Sequence, residues 1–297
     1  MFCWAAVHRQ GLKGIVHSHQ MRWKQMAVAR AASSRNVSSK AMVSTPLYSN
    51  TTLAGFLPTV AVGGKSVLMD KFDPTLFLQL ARDHRATHAM LVPVQYRRIM
   101  AVPDFDRYDL SSFVMKTSTS APFEAPLKAE VLKRWPGGLT EIYGLTEGGP
   151  ACFLPAHQHP DKLHTVGRPA PGTEIKIIDD LGNEVERSQV GEVVGRSPIV
   201  MSGYHRRPAK TAEAEWIDST GKRFIRSGDF GRFDDDGFLV LIDSVGVPSP
   251  SSAAASADLG AATRANGAAM LAAAMATPGP HFCTPREIRA CQRLVRH

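Results

Sequence analysis

Apolar and polar positions along this chain follow two different periods, and the change from one to the other divides it. Between residues 21 and 143, apolar residues recur at helical spacing over 21–32, 53–60, 74–82, 94–100 and 125–134. Short apolar runs bounded by turn residues alternate with them and predict strands at 41–44, 66–69, 88–92, 112–117 and 139–143. Asp73 before Pro74 supplies a capping carboxylate and a first-turn proline, which gives the third helix a defined start. Alternation at this spacing implies βαβ units, hence an α/β fold with a mostly parallel sheet and flanking helices. After Pro169 the pattern shortens to β-rich pieces at 174–178, 191–196, 224–225 and 238–242, with turn sequences at 179–183 and 234–237. A small β-rich, distorted-barrel subdomain is expected there. From Ser244 the chain is rich in Ala, Ser, Gly and Pro, shows no period that supports a core, and is expected to be disordered.

Of the 297 residues 43% are hydrophobic and 21% charged, which suits a globular chain. No apolar run approaches the ~20 residues of a bilayer crossing, so no membrane span is expected. The net charge of +8 belongs to the ends: residues 1–69 hold eight Lys/Arg and no acid, whereas 70–243 hold 22 bases and 25 acids. A slightly acidic organised region makes a poor phosphate-tracking face, and no nucleic-acid partner is expected. Cys3, Cys152, Cys283 and Cys291 show no C-x-x-C spacing and read as reduced thiols of a cytoplasmic protein. The acid-free, Arg- and Ser-bearing start has the composition of a transit peptide, but it encloses the 11–19 motif taken up below, which a cleaved leader has no use for. His17 and His19 have no acid or Cys beside them and are not read as metal ligands.

The chemistry concentrates in Glu141-Ile142-Tyr143-Gly144-Leu145-Thr146-Glu147-Gly148-Gly149-Pro150. Thr146 can donate to a phosphate oxygen, Glu147 can ligate Mg²⁺, and Tyr143 offers a flat face to a purine. Gly144, Gly148 and Gly149 permit close approaches that a Cβ forbids. In an open, mostly parallel sheet, ligands sit beyond the carboxyl ends of the strands, where 118–122 and 144–147 are expected to fall.

Around this stretch lie, in order, Gly11-Leu12-Lys13-Gly14-Ile15-Val16-His17-Ser18-His19, Ser118-Thr119-Ser120-Ala121-Pro122, Val166-Gly167-Arg168-Pro169, Gly191-Glu192-Val193-Val194-Gly195 and Ser227-Gly228-Asp229-Phe230-Gly231. The set resembles the adenylate-forming superfamily of acyl-CoA synthetases, aryl-CoA ligases, luciferases and adenylation domains, over roughly residues 11–243. The resemblance implies ATP/AMP, Mg²⁺ and CoA as cofactors or co-substrates. It implies that Ser120, Ala121 and Pro122 line the adenine pocket, Tyr143 stacks on the base beside Gly144, Thr146 contacts the α-phosphate, Glu147 holds the metal and Asp229 holds the ribose hydroxyls. Lys13 is the remaining candidate for the polyphosphate, although Leu12 stands where the family has Pro and the hydroxyl- and glycine-rich run before it is missing.

On this footing the organisation is a truncated phosphate-loop remnant at 1–20, an α/β core at 21–165, a β-rich subdomain at 166–243 and a tail at 244–297. The implied function is that of an ATP-dependent carboxylic acid–CoA ligase acting through an acyl-adenylate. Because Ser244 replaces the family's Arg and a mobile C-terminal domain does not follow, the chain is expected to be inactive by itself. Two other readings compete: a non-catalytic nucleotide- or protein-binding module, and a full-length ligase whose ends are read out of frame. With no acid before Asp70, an α-amino substrate has no counter-charge, so an apolar acyl or aryl carboxylate is expected near Tyr48, Leu53, Phe56 and Leu57.

Overall fold

The computed structural model describes residues 2–8, 11–47 and 49–242; Tyr48 and the tail expected to be disordered lie outside the described residues. In chain order the elements are β1 (Phe2–His8), β2 (Gly11–His17), α1 (His19–Ser33), β3 (Lys40–Val43), α2 (Asn50–Ala61), β4 (Lys65–Leu68), α3 (Pro74–Asp83), β5 (His88–Leu91), α4 (Pro93–Met100), β6 (Met115–Ser118), α5 (Ala125–Arg134), β7 (Gly138–Gly144) and β8 (Ala151–Pro155). Then follow β9 (Arg168–Pro169), β10 (Glu174–Ile178), β11 (Glu184–Val185), β12 (Gly191–Arg196), β13 (Gly203–Tyr204), α6 (Pro208–Glu213), β14 (Glu215–Ile217), β15 (Arg223–Phe233) and β16 (Leu239–Ile242).

The main sheet has the order β4-β3-β5-β6-β7-β8-β9, parallel through β7 and antiparallel beyond it. A second, wholly antiparallel sheet runs β11-β10-β12-β15-β14 with β16 on β15, the β-rich subdomain expected from the sequence. A third joins β1, β2 and β13. Lys13 therefore falls on a strand opposite Ala6, not on a loop wrapped around an anion; its side chain lies outside the described residues.

Local signals explain the helices. Asp73 accepts from the Leu76 N–H at 2.8 Å to start α3, and Ser18 accepts from the Met21 N–H at 3.1 Å to start α1. α3 turns Phe77, Leu78 and Ala81 inward, where Trp135 meets Phe77, Tyr96, Phe105 and Phe113. Two lysines share this interior. Lys116 donates to the carbonyls of Trp135, Pro136 and Gly137 at 3.1, 2.6 and 2.8 Å, so it closes the carboxyl end of α5 while burial pulls its pKa down to about 7. Lys128 donates to the Leu163 and Thr165 carbonyls at 2.7 and 3.1 Å and pairs with Glu141.

The sixth strand starts at Met115 instead of residue 112, because Ser112 donates its hydroxyl to the Ala86 carbonyl and Val114 donates its N–H to Thr87 ahead of the ladder. The short strand expected at 224–225 is an 11-residue strand that continues through Ser227-Gly228-Asp229 to Phe233.

Candidate active site

The site grows from the carboxyl end of β7. Gly148, with φ 74°, turns the chain so closely beneath Ile199 that a Cβ built there would lie 1.9 Å from the Ile199 carbonyl oxygen. That approach brings Glu147 beneath β13, where its carboxylate accepts from the Tyr204 hydroxyl at 2.8 Å and its carbonyl accepts from the Met201 N–H. His17 donates through Nε2 to the Thr146 carbonyl at 2.8 Å, which ties the end of β2 to the same turn. Burial first, and then the charge of Arg22, lower the pKa of His17 to about 4 against the opposing hydrogen bond to Thr146, so the ring is neutral.

Asp229 arrives from the second sheet. Between the pairs Glu192–Phe230 and Val194–Arg226 the register of β12 on β15 shifts, so Ser227, Gly228 and Asp229 bulge out opposite Val193. Gly228 takes φ 75°, Ser227 donates to the Val193 carbonyl at 2.7 Å, and the Asp229 N–H returns to the Ser227 hydroxyl at 3.0 Å. The bulge aims the carboxylate at β7, where Tyr143 donates its hydroxyl to Asp229 Oδ2 at 2.7 Å, 86 residues away in sequence. Burial raises the pKa of Asp229, Tyr143 opposes that by its hydrogen bond, and the charge of Glu192 adds to it.

A cleft of about 160 Å³ runs from this turn along α1. Ser120, Tyr143, Gly144 and Thr146 line one end; Ser33, Arg35, Met90 and Thr117 line it elsewhere. Ser120 has φ 77° and shares a 2.6 Å hydroxyl contact with Thr51 of α2. Ala121 and Pro122 are exposed just past β6, outside the cleft lining, while Glu147 and Asp229 stand behind it. The helix period of α2 presents Asn50, Thr51 and Ala54 to the cleft. Leu53 and Leu57, expected beside the acyl group, instead join Trp23 and Met26 around a separate apolar depression of about 600 Å³, and Phe56 faces a small recess behind Arg35. That wider depression gathers no acid, and none of the motif residues lines it.

Four residues at or behind the site had no signal in the sequence: His17 against Thr146, Tyr204 on Glu147, Lys128 on Glu141, and Arg35 in the cleft wall. Each contact spans a loop too long for any spacing rule, and a lone Tyr or Arg carries no pattern. Among the described residues no group of three or more His, Cys, Asp or Glu is placed to hold a metal ion. Glu147 nonetheless suits Mg²⁺, which binds through one or two carboxylates together with substrate phosphates and water.

The family model described as "AMP-binding enzyme" matches residues 12–205, a range that holds Tyr143, Thr146 and Glu147. The chain belongs to the AMP-binding enzyme family. It is 34% identical over 190 residues to 4-coumarate–CoA ligase-like 9 of Oryza sativa subsp. japonica, covering 61% of this chain and 34% of that protein. It is 28% identical over 235 residues to the medium/long-chain-fatty-acid–CoA ligase FadD8 of Mycobacterium tuberculosis, covering 78% of this chain and 40% of that protein. Among solved structures, the amide bond synthetase McbA of Marinactinospora thermotolerans superposes with a TM-score of 0.71 at 33% identity, over 82% of this chain and 48% of that one. The family member described here thus spans between a third and two fifths of the length of these two curated relatives. Its fold, a mostly parallel sheet with helices plus a curled antiparallel sheet, is the one these neighbours share.

Proposed function

We propose that this chain carries the carboxylate-activation site of an ATP-dependent acid–CoA ligase, for a fatty or aromatic acid. The observation that supports it most is the Tyr143–Asp229 hydrogen bond: a flat ring that lines the cleft, fixed to a carboxylate with two acceptor oxygens behind it. In this reading Tyr143 packs against the adenine near Ser120, Ala121 and Pro122, Gly144 allows the ligand to approach the backbone, and Asp229 accepts from the ribose hydroxyls. Thr146 donates to the α-phosphate as the acid's carboxylate attacks phosphorus and pyrophosphate leaves, and its carbonyl is held in place by His17. Glu147, its carboxylate fixed by the Tyr204 hydroxyl, would hold Mg²⁺, which would supply charge neutralisation on the triphosphate. CoA thiol then displaces AMP from the acyl-adenylate.

Lys13 is the remaining cation toward the leaving phosphates. The backbone N–H groups of β2 are engaged in pairing with β1 and β13, so they do not curl into an anion-binding nest, and adenylation by this chain alone is expected to be negligible. Binding is therefore the decisive assay. AMP at a hundredfold excess over its Kd should stabilise the chain by about 2.7 kcal/mol, or roughly 5–10 °C in Tm for a domain of this size. Tyr143→Ala, which removes the face offered to the adenine, should weaken AMP roughly ten- to hundredfold, the scale of one base–aromatic stack. A melt unmoved by AMP refutes the reading; pyrophosphate release on the order of 1 s⁻¹ or faster refutes the claim of negligible turnover.

A further inference from the structure

Arg35 is 5% exposed, yet it forms no ion pair with any described carboxylate. Its Nε donates to the Thr59 hydroxyl at 3.1 Å and its Nη1 to the Ser33 hydroxyl. Nη2 donates to no described acceptor, and the side chain forms part of the wall of the cleft that Tyr143 and Thr146 line. No Asp or Glu lines that cleft, and none precedes Asp70 in the chain. Burial lowers the pKa of Arg35 to about 10, which still leaves a full charge at neutral pH.

Position tells what the charge faces. α1 begins beside the Thr146 turn, where His17 meets the Thr146 carbonyl, and ends beside the first residue of β5, where His88 donates to the Ser33 carbonyl at 2.8 Å. A 15-residue helix is about 22 Å long, so the two ends of α1 mark opposite ends of the sheet face along which the cleft runs. Thr146 belongs to one end and Arg35 to the other. An acid whose reacting carboxylate meets Thr146 extends toward a buried guanidinium with a free donor. Val28, Ala29 and Met90 line the cleft between those ends, so the connecting part of the acid meets apolar side chains.

We propose that Arg35 is a specificity-determining residue that binds a second carboxylate at the far end of the acid substrate, so that this chain takes acids carrying a distal carboxylate in preference to simple fatty acids. The proposal rests on the reading of the cleft as a carboxylate-activation site. A hydrogen-bonded carboxylate at Nη2 supplies the counter-charge that the protein does not. The surrounding hydroxyls already have acceptors of their own: Ser33 donates to the Ala29 carbonyl and Thr59 to the Gly55 carbonyl at 3.0 Å. Replacing Arg35 therefore strands no buried polar group, and the fold does not depend on it.

The test is calorimetric titration of the AMP-loaded chain with α,ω-dicarboxylates from hexanedioate to octadecanedioate and with the matching monocarboxylates and ω-hydroxy acids. The wild type should bind the best dicarboxylate roughly ten- to hundredfold more tightly than its monocarboxylate, as expected for a charged hydrogen bond. Arg35→Met should erase or reverse that ratio while AMP affinity is unchanged and Tm does not fall, and Arg35→Lys should retain part of it. A wild type that binds AMP but does not prefer dicarboxylates, or that prefers ω-hydroxy acids equally, overturns the proposal and leaves the site reading intact. An Arg35→Met chain that keeps the preference also overturns it. Failure of AMP itself to bind removes the site reading, and the proposal with it.

Discussion

Acidification should destabilise this chain above the range in which ordinary carboxylates titrate, and two histidines set the magnitude. His88 is 1% exposed and His17 fully buried. His88 donates through Nε2 to the Ser33 carbonyl, and its Nδ1 lies 2.7 Å from the Thr87 hydroxyl. Burial, then the charge of Arg35, lower its pKa to about 4; burial and Arg22 do the same for His17. In the unfolded chain both return to about 6.5. The folded state thus binds fewer protons than the unfolded one between these values, and stability is complete above pH 6.5 and lost as pH falls toward 4. At pH 5 the loss is about 2 kcal/mol for each ring, or about 4 kcal/mol together, a large share of the ~5–15 kcal/mol of a typical domain. Urea unfolding followed by far-UV circular dichroism at pH 7, 6 and 5 measures it. Glu141 and Asp229, whose pKa values burial raises, act in the opposite sense, so the parent slope alone does not decide the matter. His17→Gln and His88→Gln decide it: each should remove about half of the histidine contribution while lowering stability at pH 7. If both variants keep the parent's pH dependence, the neutral-histidine argument is wrong.

Three further substitutions test the supports of the site. Lys128→Met leaves Glu141 and the Leu163 and Thr165 carbonyls without their buried donor, and should cost about 3–5 kcal/mol in urea unfolding; a loss under 1 kcal/mol refutes the pairing. Gly148→Ala places its Cβ 1.9 Å from the Ile199 carbonyl at a positive φ, and should cost upward of about 3 kcal/mol or prevent folding, whereas Gly228→Ala, at φ 75° in open space, should cost about 1 kcal/mol.

Legibility followed the range of the interactions. The helices at Pro74–Asp83 and Ala125–Arg134 and the strands at Glu174–Ile178 and Gly191–Arg196 are set by neighbouring residues, and their bounds come within a residue of the expected ones. β15 was misjudged in length because Ser-Gly-Asp carries turn chemistry, and here that chemistry makes a bulge inside a strand that the ladder with β12 holds together. The strand-end motif was legible as chemistry, since Thr, Glu and Tyr beside glycines form a rare local combination. Its partners were not: Tyr143 finds Asp229 across 86 positions and Glu147 finds Tyr204 across 57. The acyl side was legible least. Leu53 and Leu57, read as an acyl lining, border an apolar depression with Trp23 and Met26, and Phe56 borders a recess beside Arg35, so the stripe does not line the β7 cleft.

The buried cations of this chain differ in a way that bears on function. Lys116 gathers three carbonyls at the end of α5, and Lys128 gathers two carbonyls and a carboxylate; each is surrounded by acceptors that would be stranded without it. That is how a fold accommodates a charge it uses for structure. Arg35 is surrounded by two hydroxyls that already donate elsewhere, and its desolvation, read from a pKa of about 10, amounts to about 3 kcal/mol against folding. A substitution to Met would relieve that cost without leaving an acceptor empty. A buried cation whose protein partners are two hydroxyls and no described carboxylate, and which faces the cleft, is the residue whose charge a ligand in that cleft would answer.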